Sequence, residues 1–193
     1  DSGILLERKG DLGGALARCR AAYDQSEPDP ESAPVASYRA ALVEDRLGNW
    51  AEAKQLLEGL PVRFPQSRAT LEAPFAIAAH YTRSGQTDAM KAALGKAVNV
   101  FRALIARDST AAICTSYRWS ILRAYAGLGR WKEALAAVDE MAAKDRGTPL
   151  AAEALARGAS IAKTLRDKSR SDKYLQLIIR YYPDTPYASA ARQ

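Results

Sequence analysis

The chain has 193 residues, 48% of them hydrophobic and 26% charged, with a net charge of +6. That length buries a core without disulfide or metal staples, as one domain or one short array. No uncharged apolar run reaches the roughly 18 residues of a membrane span, and the opening DSGILLERKGD lacks the basic-then-apolar order of a signal peptide. The positive charge is spread through every segment and interleaved with acids, as in RDKSRSDK at 166–173. With no basic block and no basic–aromatic alternation, nucleic acid is not an expected partner. Cys19 and Cys114 stand far apart and read as small buried hydrophobes; their spacing neither requires nor forbids a disulfide.

In chain order, residues 3–9 form a short first helix, and GDLGGALARCRAAY turns at Gly10 into a second. SEPDPESAP at 26–34 is too rich in proline and acid for a helix and is expected to be a connection. WAEAKQLLEGL places Trp50, Ala53, Leu56, Leu57 and Leu60 on one helical stripe, and WKEALAAVDEM repeats it with Trp131, Ala134, Leu135, Val138 and Met141. Asn49 stands where an N-cap belongs, with Glu52 set for a capping box. Thr148–Pro149 and Thr185–Pro186 each put a hydroxyl before a proline at the first helical position. FPQS at 64–67 and YPDT at 182–185 close two more helices. With no convincing period-two run, the chain is all-α, with about five antiparallel helix pairs and a final helix starting at Pro186.

The breaks recur. Gly10, Gly48, Gly85 and Gly129, with Arg166 in the fifth place, follow one another at 37 to 44 residues. Five residues further on stand Ala15, Ala53, Met90, Ala134 and Ser171, mostly small; nine further on stand Cys19, Leu57, Leu94, Val138 and Leu175, all apolar. Pro65 and Pro183 close two of the units at the same offset. Glycine suits a tight turn that needs positive φ, a small residue lets two helices cross closely, and Trp50 and Trp131 are placed to pack on the helix before.

This lattice resembles the tetratricopeptide repeat. LGNWAEAKQLLEGLPVRFP fits nearly position for position, LGRWKEALAAVDEM through its second helix, and GDLGGALARCRAAY and RDKSRSDKYLQLIIRYYP more weakly. SGQTDAMKAALGKAVNVFRALIARD keeps the glycine but runs a longer second helix. The resemblance implies a right-handed α-solenoid over 1–193, one repeat domain with units at about 1–30, 33–66, 67–107, 109–147 and 148–184 and the start of a further helix at 185–193. Units this long, ending in RFPQS or RYYPDTPYASAA, are similar to those of bacterial envelope and periplasmic proteins; a cytoplasmic location is the alternative. The short first helix and the final stub fit a segment of a longer protein.

No catalytic, cofactor or metal constellation is visible. His80, in FAIAAHYTR, has no second histidine to work with and reads as a partly buried, satisfied side chain. GDLGG is a turn, not a phosphate cradle. What the resemblance does imply is a groove lined by first helices. Its inward positions fall at Tyr38, Leu42, Asp45 and Arg46, then at Phe75, Ala79, Thr82 and Arg83. They continue at Trp119, Arg123 and Ala126, then at Arg157, Ser160 and Lys163. Tyr38, Arg46, Phe75, Arg83, Trp119, Arg123, Arg157 and Lys163 are the candidate partner-binding residues. Rings offer contact area at low entropic cost and guanidinium forks grip carboxylates. The lysine and paired asparagines of the chaperone-tail clamp are missing, since the chain holds only Asn49, at a cap, and Asn99, in a long helix. The expected function is a non-catalytic scaffold for a protein or peptide partner in an envelope assembly. A regulatory segment of a larger enzyme or transcription regulator is the alternative, and self-association a third.

Overall fold

The computed structural model describes residues 11–23, 29, 31–110 and 112–192. The expected first helix at 3–9 and Gly10 lie outside them. Two compact units divide the chain at 96/97. The first holds α1 (Leu12–Tyr23), α2 (Ser32–Leu47), α3 (Trp50–Arg63) and α4 (Arg68–Arg83). α5 (Thr87–Arg107) is the long second helix foreseen in the third repeat, and the chain passes from one unit to the other within it. The second holds α6 (Cys114–Gly127), α7 (Trp131–Lys144), α8 (Pro149–Thr164), α9 (Lys168–Tyr181) and α10 (Pro186–Ala191). The described residues contain no strand.

One joint is used four times. Gly48, Gly85 and Gly129 adopt φ of 86°, 71° and 68°, and Arg166 adopts 60° in the place the sequence lattice gave it. Each donates its N–H three residues back, and the next residue donates five back: Gly48 to Asp45 and Asn49 to Glu44, Arg166 to Lys163 and Asp167 to Ala162. This left-handed closure satisfies the last carbonyls of the first helix and reverses the chain in two residues. The next helix is therefore antiparallel.

Hydroxyl caps hold the helix starts after the longer connections. Ser67, Thr148 and Thr185 accept from the backbone N–H groups of Thr70, Ala151 and Ala188. Asn49 does not cap α3: its side-chain amide donates instead to the buried Glu44 carboxylate at 2.8 Å. Nor does the 26–34 stretch stay outside helix, because α2 begins at Ser32 and takes Pro34 into its first turn. Proline costs little there, since the N–H it lacks would have no helical partner. Asp29 caps this start by accepting from the Ser32 N–H at 2.9 Å, and hydrogen bonds from Ser32 hold its carboxyl below the usual range.

In the first unit, Ala41, Leu57, Leu60, Ala73 and Ile77 form the core, with Trp50 and Tyr81 packed on it. In the second, Phe101, Ile121, Leu135, Val138, Met141 and Ile178 are fully buried, and the Phe101 and Tyr117 rings stack at 5.8 Å. Ala53, Ala134 and Ser171 are buried at the repeated small position. At the apolar position Leu57, Leu94 and Val138 are buried, but Leu175 is only half-buried and its neighbour Tyr174 takes the core place. The Tyr174 hydroxyl explains the exchange: it donates to Asp139 at 3.1 Å across to α7.

Candidate partner-binding faces

In the first unit, α2 and α4 are neighbouring first helices. Between them lies an open cleft of about 300 Å³, lined by Tyr38 and Asp45 on one side and Glu72, Phe75 and Arg83 on the other. Three of the candidate residues, Tyr38, Phe75 and Arg83, thus meet in one place. Arg46 does not line the cleft; it is exposed at the last turn of α2. Asp45 organises the far end. Its carboxylate pairs with the Arg83 guanidinium and with Nδ1 of His80 at 2.5 Å. The His80 ring lies flat on Trp50, centroids 3.6 Å apart and planes within 2°, with Tyr81 edge-on at 5.5 Å to both. His80 is therefore the satisfied, half-buried histidine expected, and through it the tryptophan after the turn locks α3 to α4.

Trp131, the repeat-mate of Trp50, does not pack in this way and is 41% exposed. In the register of His80 and Tyr81 the second unit carries Ile161 and Ala162, which offer no ring to stack on.

On the first helices of the second unit, α6 and α8, Arg157 lies over the Trp119 ring at 4.9 Å. Glu153 steadies the same guanidinium at 3.7 Å. Arg123, half-buried, follows Trp119 by one turn, and Lys163 is exposed near the end of α8. Two residues chosen separately from sequence, Trp119 and Arg157, are thus partners.

Beneath them is a clamp that sequence reading missed. Arg118, buried, donates through Nε to Asp145 Oδ2 at 2.7 Å and through its terminal nitrogen to the other oxygen, while Thr115 adds a bond at 2.8 Å. The bond to Asp145 raises the Arg118 pKa despite its burial. The clamp pins α6 to the end of α7 and so sets the direction of Trp119, the next residue. One signal was present: Arg118 sits on the apolar stripe of Cys114, Ile121, Leu122 and Tyr125.

Chemistry of other kinds finds few materials among the described residues. Both cysteines are buried, and burial pushes the Cys114 thiol up. No three metal-binding side chains converge, and no helix is long and apolar enough to cross a membrane.

Comparison with known proteins agrees on the fold. Residues 35–67 match the model of the tetratricopeptide repeat. TTC0263, a thermophilic tetratricopeptide-repeat protein of Thermus thermophilus, aligns over 99% of this chain and 96% of its own at 20% identity, with a TM-score of 0.56. This chain has the tetratricopeptide-repeat fold. Two further structures share it: BtubC of P. vanneervenii (14% identity, 98% and 78% covered, TM-score 0.58), and YrrB (19% identity, 98% and 88% covered, TM-score 0.51). YrrB is described as having an unusual peptide-binding site. No curated protein matches the sequence. The matched tetratricopeptide repeat is the α2–α3 pair, which carries the full LGNWAEAKQLLEGLPVRFP phrase.

Proposed function

We propose that this chain is a non-catalytic interaction scaffold. Its first helices hold a peptide segment or a partner protein within a bacterial envelope assembly. One observation carries the reading. The side chains that build the turns repeat from unit to unit, whereas those on the first-helix faces do not, and they are aromatics set beside guanidinium groups: Tyr38 and Phe75 with Arg83, Trp119 with Arg157. Such pairs present rigid contact area and oriented charge, the qualities of binding hot spots. The peptide-binding site described for YrrB agrees with this use of the fold, and the RYYPDTPYASAA junction supports the envelope setting.

The test is capture of the partner by the full-length protein in its native cells, followed by cell fractionation. Arg123→Glu together with Arg157→Glu is expected to abolish capture while the helical melt stays unchanged. Capture that survives both reversals overturns the reading.

A further inference from the structure

The first helices of the unit 97–193 differ in charge from those of the unit 1–96. α2 and α4 together carry four arginines and three carboxylates, whereas α6 and α8 carry Arg118, Arg123, Arg157 and Lys163 against Glu153 alone. Arg118 is already neutralised by Asp145. The first helices of the second unit thus keep an excess of cations, which favours an acidic occupant.

Arg157 is the cation held ready. Its guanidinium lies over the Trp119 ring at 4.9 Å, and its carboxylate neighbour, Glu153, stands at 3.7 Å, beyond hydrogen-bond reach. Among the described residues the Arg157 side chain makes no hydrogen bond, unlike Arg83, Arg118 and Arg130, each of which donates to a carboxylate. A guanidinium over a ring uses its face and keeps its N–H edge. The Trp119 indole N–H makes no hydrogen bond among the described residues either. No buried side-chain donor among them lacks a partner, so this one is open to solvent.

Both side chains stand on fixed backbone. Arg118, before Trp119, is pinned to Asp145, and Gly158, after Arg157, is packed directly against Val138 and Tyr174. The first unit repeats the ring and the acid but not the cation. Tyr38 and Glu72 stand in the register of Trp119 and Glu153, while Ala76 stands in that of Arg157. Arg83 does line the first-unit cleft, but its guanidinium is bonded to Asp45.

We propose that Trp119 and Arg157 read an acidic residue in a segment of the partner protein, an inference that rests on the proposed use of the first-helix faces. A glutamate or aspartate side chain takes the Arg157 N–H edge, and Glu153 holds that place in its absence. An i,i+4 pair exposed to water is weak, so a carboxylate offered by the partner displaces Glu153 at little cost. A ligand without a carboxylate has nothing to displace it with.

The probe is the blocked peptide acetyl-Ala-Leu-Glu-Glu-Leu-Ala-amide, which offers carboxylates on side chains only. Its control carries glutamine for glutamate. Each is titrated into the full isotope-labelled chain, and the indole N–H resonance of Trp119, assigned with Trp119→Phe, is followed. The acidic peptide is expected to move it with an affinity about tenfold or more above the control's, the gain of one charge-assisted contact. Arg157→Gln is expected to remove that preference with the helical melt unchanged. Glu153→Gln is expected to strengthen the acidic peptide about two- to threefold and to leave the control where it was. Equal affinities or an unmoved resonance in the unmodified protein overturn the proposal. So do a preference that survives Arg157→Gln and acidic-peptide binding that Glu153→Gln fails to strengthen. Competition by inorganic phosphate or by phosphatidylglycerol vesicles at the strength of the peptide also overturns it. Partner capture that depends on Arg123 and Arg157, with no preference for glutamate over glutamine, sinks this inference alone and leaves the scaffold reading standing.

Discussion

Arg166 shows how a position can be more permanent than its residue. It holds the left-handed conformation that glycine holds at the other three turns, and for a residue with a Cβ that conformation costs about 1–2 kcal/mol. Replacing it with glycine relieves the strain but adds about 0.4–1 kcal/mol of unfolded-chain entropy. Arg166→Gly is thus expected to stabilise the protein by about 0.5–1 kcal/mol in denaturant titration; a loss of stability would mean that the Arg166 side chain anchors the turn. Tyr174 gives a test by pH. Burial first, and then the Asp139 carboxylate, raise its pKa well above the ordinary 10.0. A group raised in the folded state contributes stability that is full below its unfolded pKa and is lost as pH rises past it. Unfolding free energy should therefore fall above pH 10, with Tyr174 contributing a slope of up to about 1.4 kcal/mol per pH unit. Tyr174→Phe is expected to flatten that slope and to lower stability at neutral pH by about 1 kcal/mol through the lost hydrogen bond.

At the level of helices and turns, what is local was legible and what is long-range was not. Gly48, Gly129, Thr148 and Thr185 announce their conformations through neighbours a few residues away, and the helix boundaries follow. The Arg118–Asp145 clamp closes across 27 residues, and only packing brings such a pair together. Trp119 and Arg157 were each legible as face residues, but their contact was not, because it depends on how α6 lies beside α8. Asn49 failed for a related reason. Its sequence position is that of a cap, yet a buried carboxylate one turn back, Glu44, offers its amide a stronger partner. Substitutions separate these roles. Thr148→Ala should cost about 1 kcal/mol as a lost cap. Asn49→Asp, harmless for a true cap, should cost about 1–3 kcal/mol by setting a second carboxylate against Glu44. Thermal melts of the two variants decide it.

For the molecule as a whole, the contacts within each unit run mainly between helices adjacent or next-adjacent in sequence. Stability in such arrays is a sum of local terms, and a lesion is felt near where it is made. Gly158 offers a sharp lesion. A Cβ there would stand 2.8 Å from Val138 Cγ1 and 2.9 Å from the Tyr174 ring, which its bond to Asp139 keeps from yielding. Gly158→Ala is expected to cost about 1–3 kcal/mol. Hydrogen exchange should then quicken in α7, α8 and α9 before it quickens in α2, α3 and α4; uniform acceleration would show a single cooperative unit instead. The stacked pair in the first unit makes such experiments easier to read. Trp50 is the sole tryptophan of residues 1–96, and it lies flat on the only imidazole of the chain. Light emitted by that indole is open to quenching by the ring stacked on it, and Trp119 and Trp131 have no imidazole beside them. The chain carries its own optical label, written on one half only.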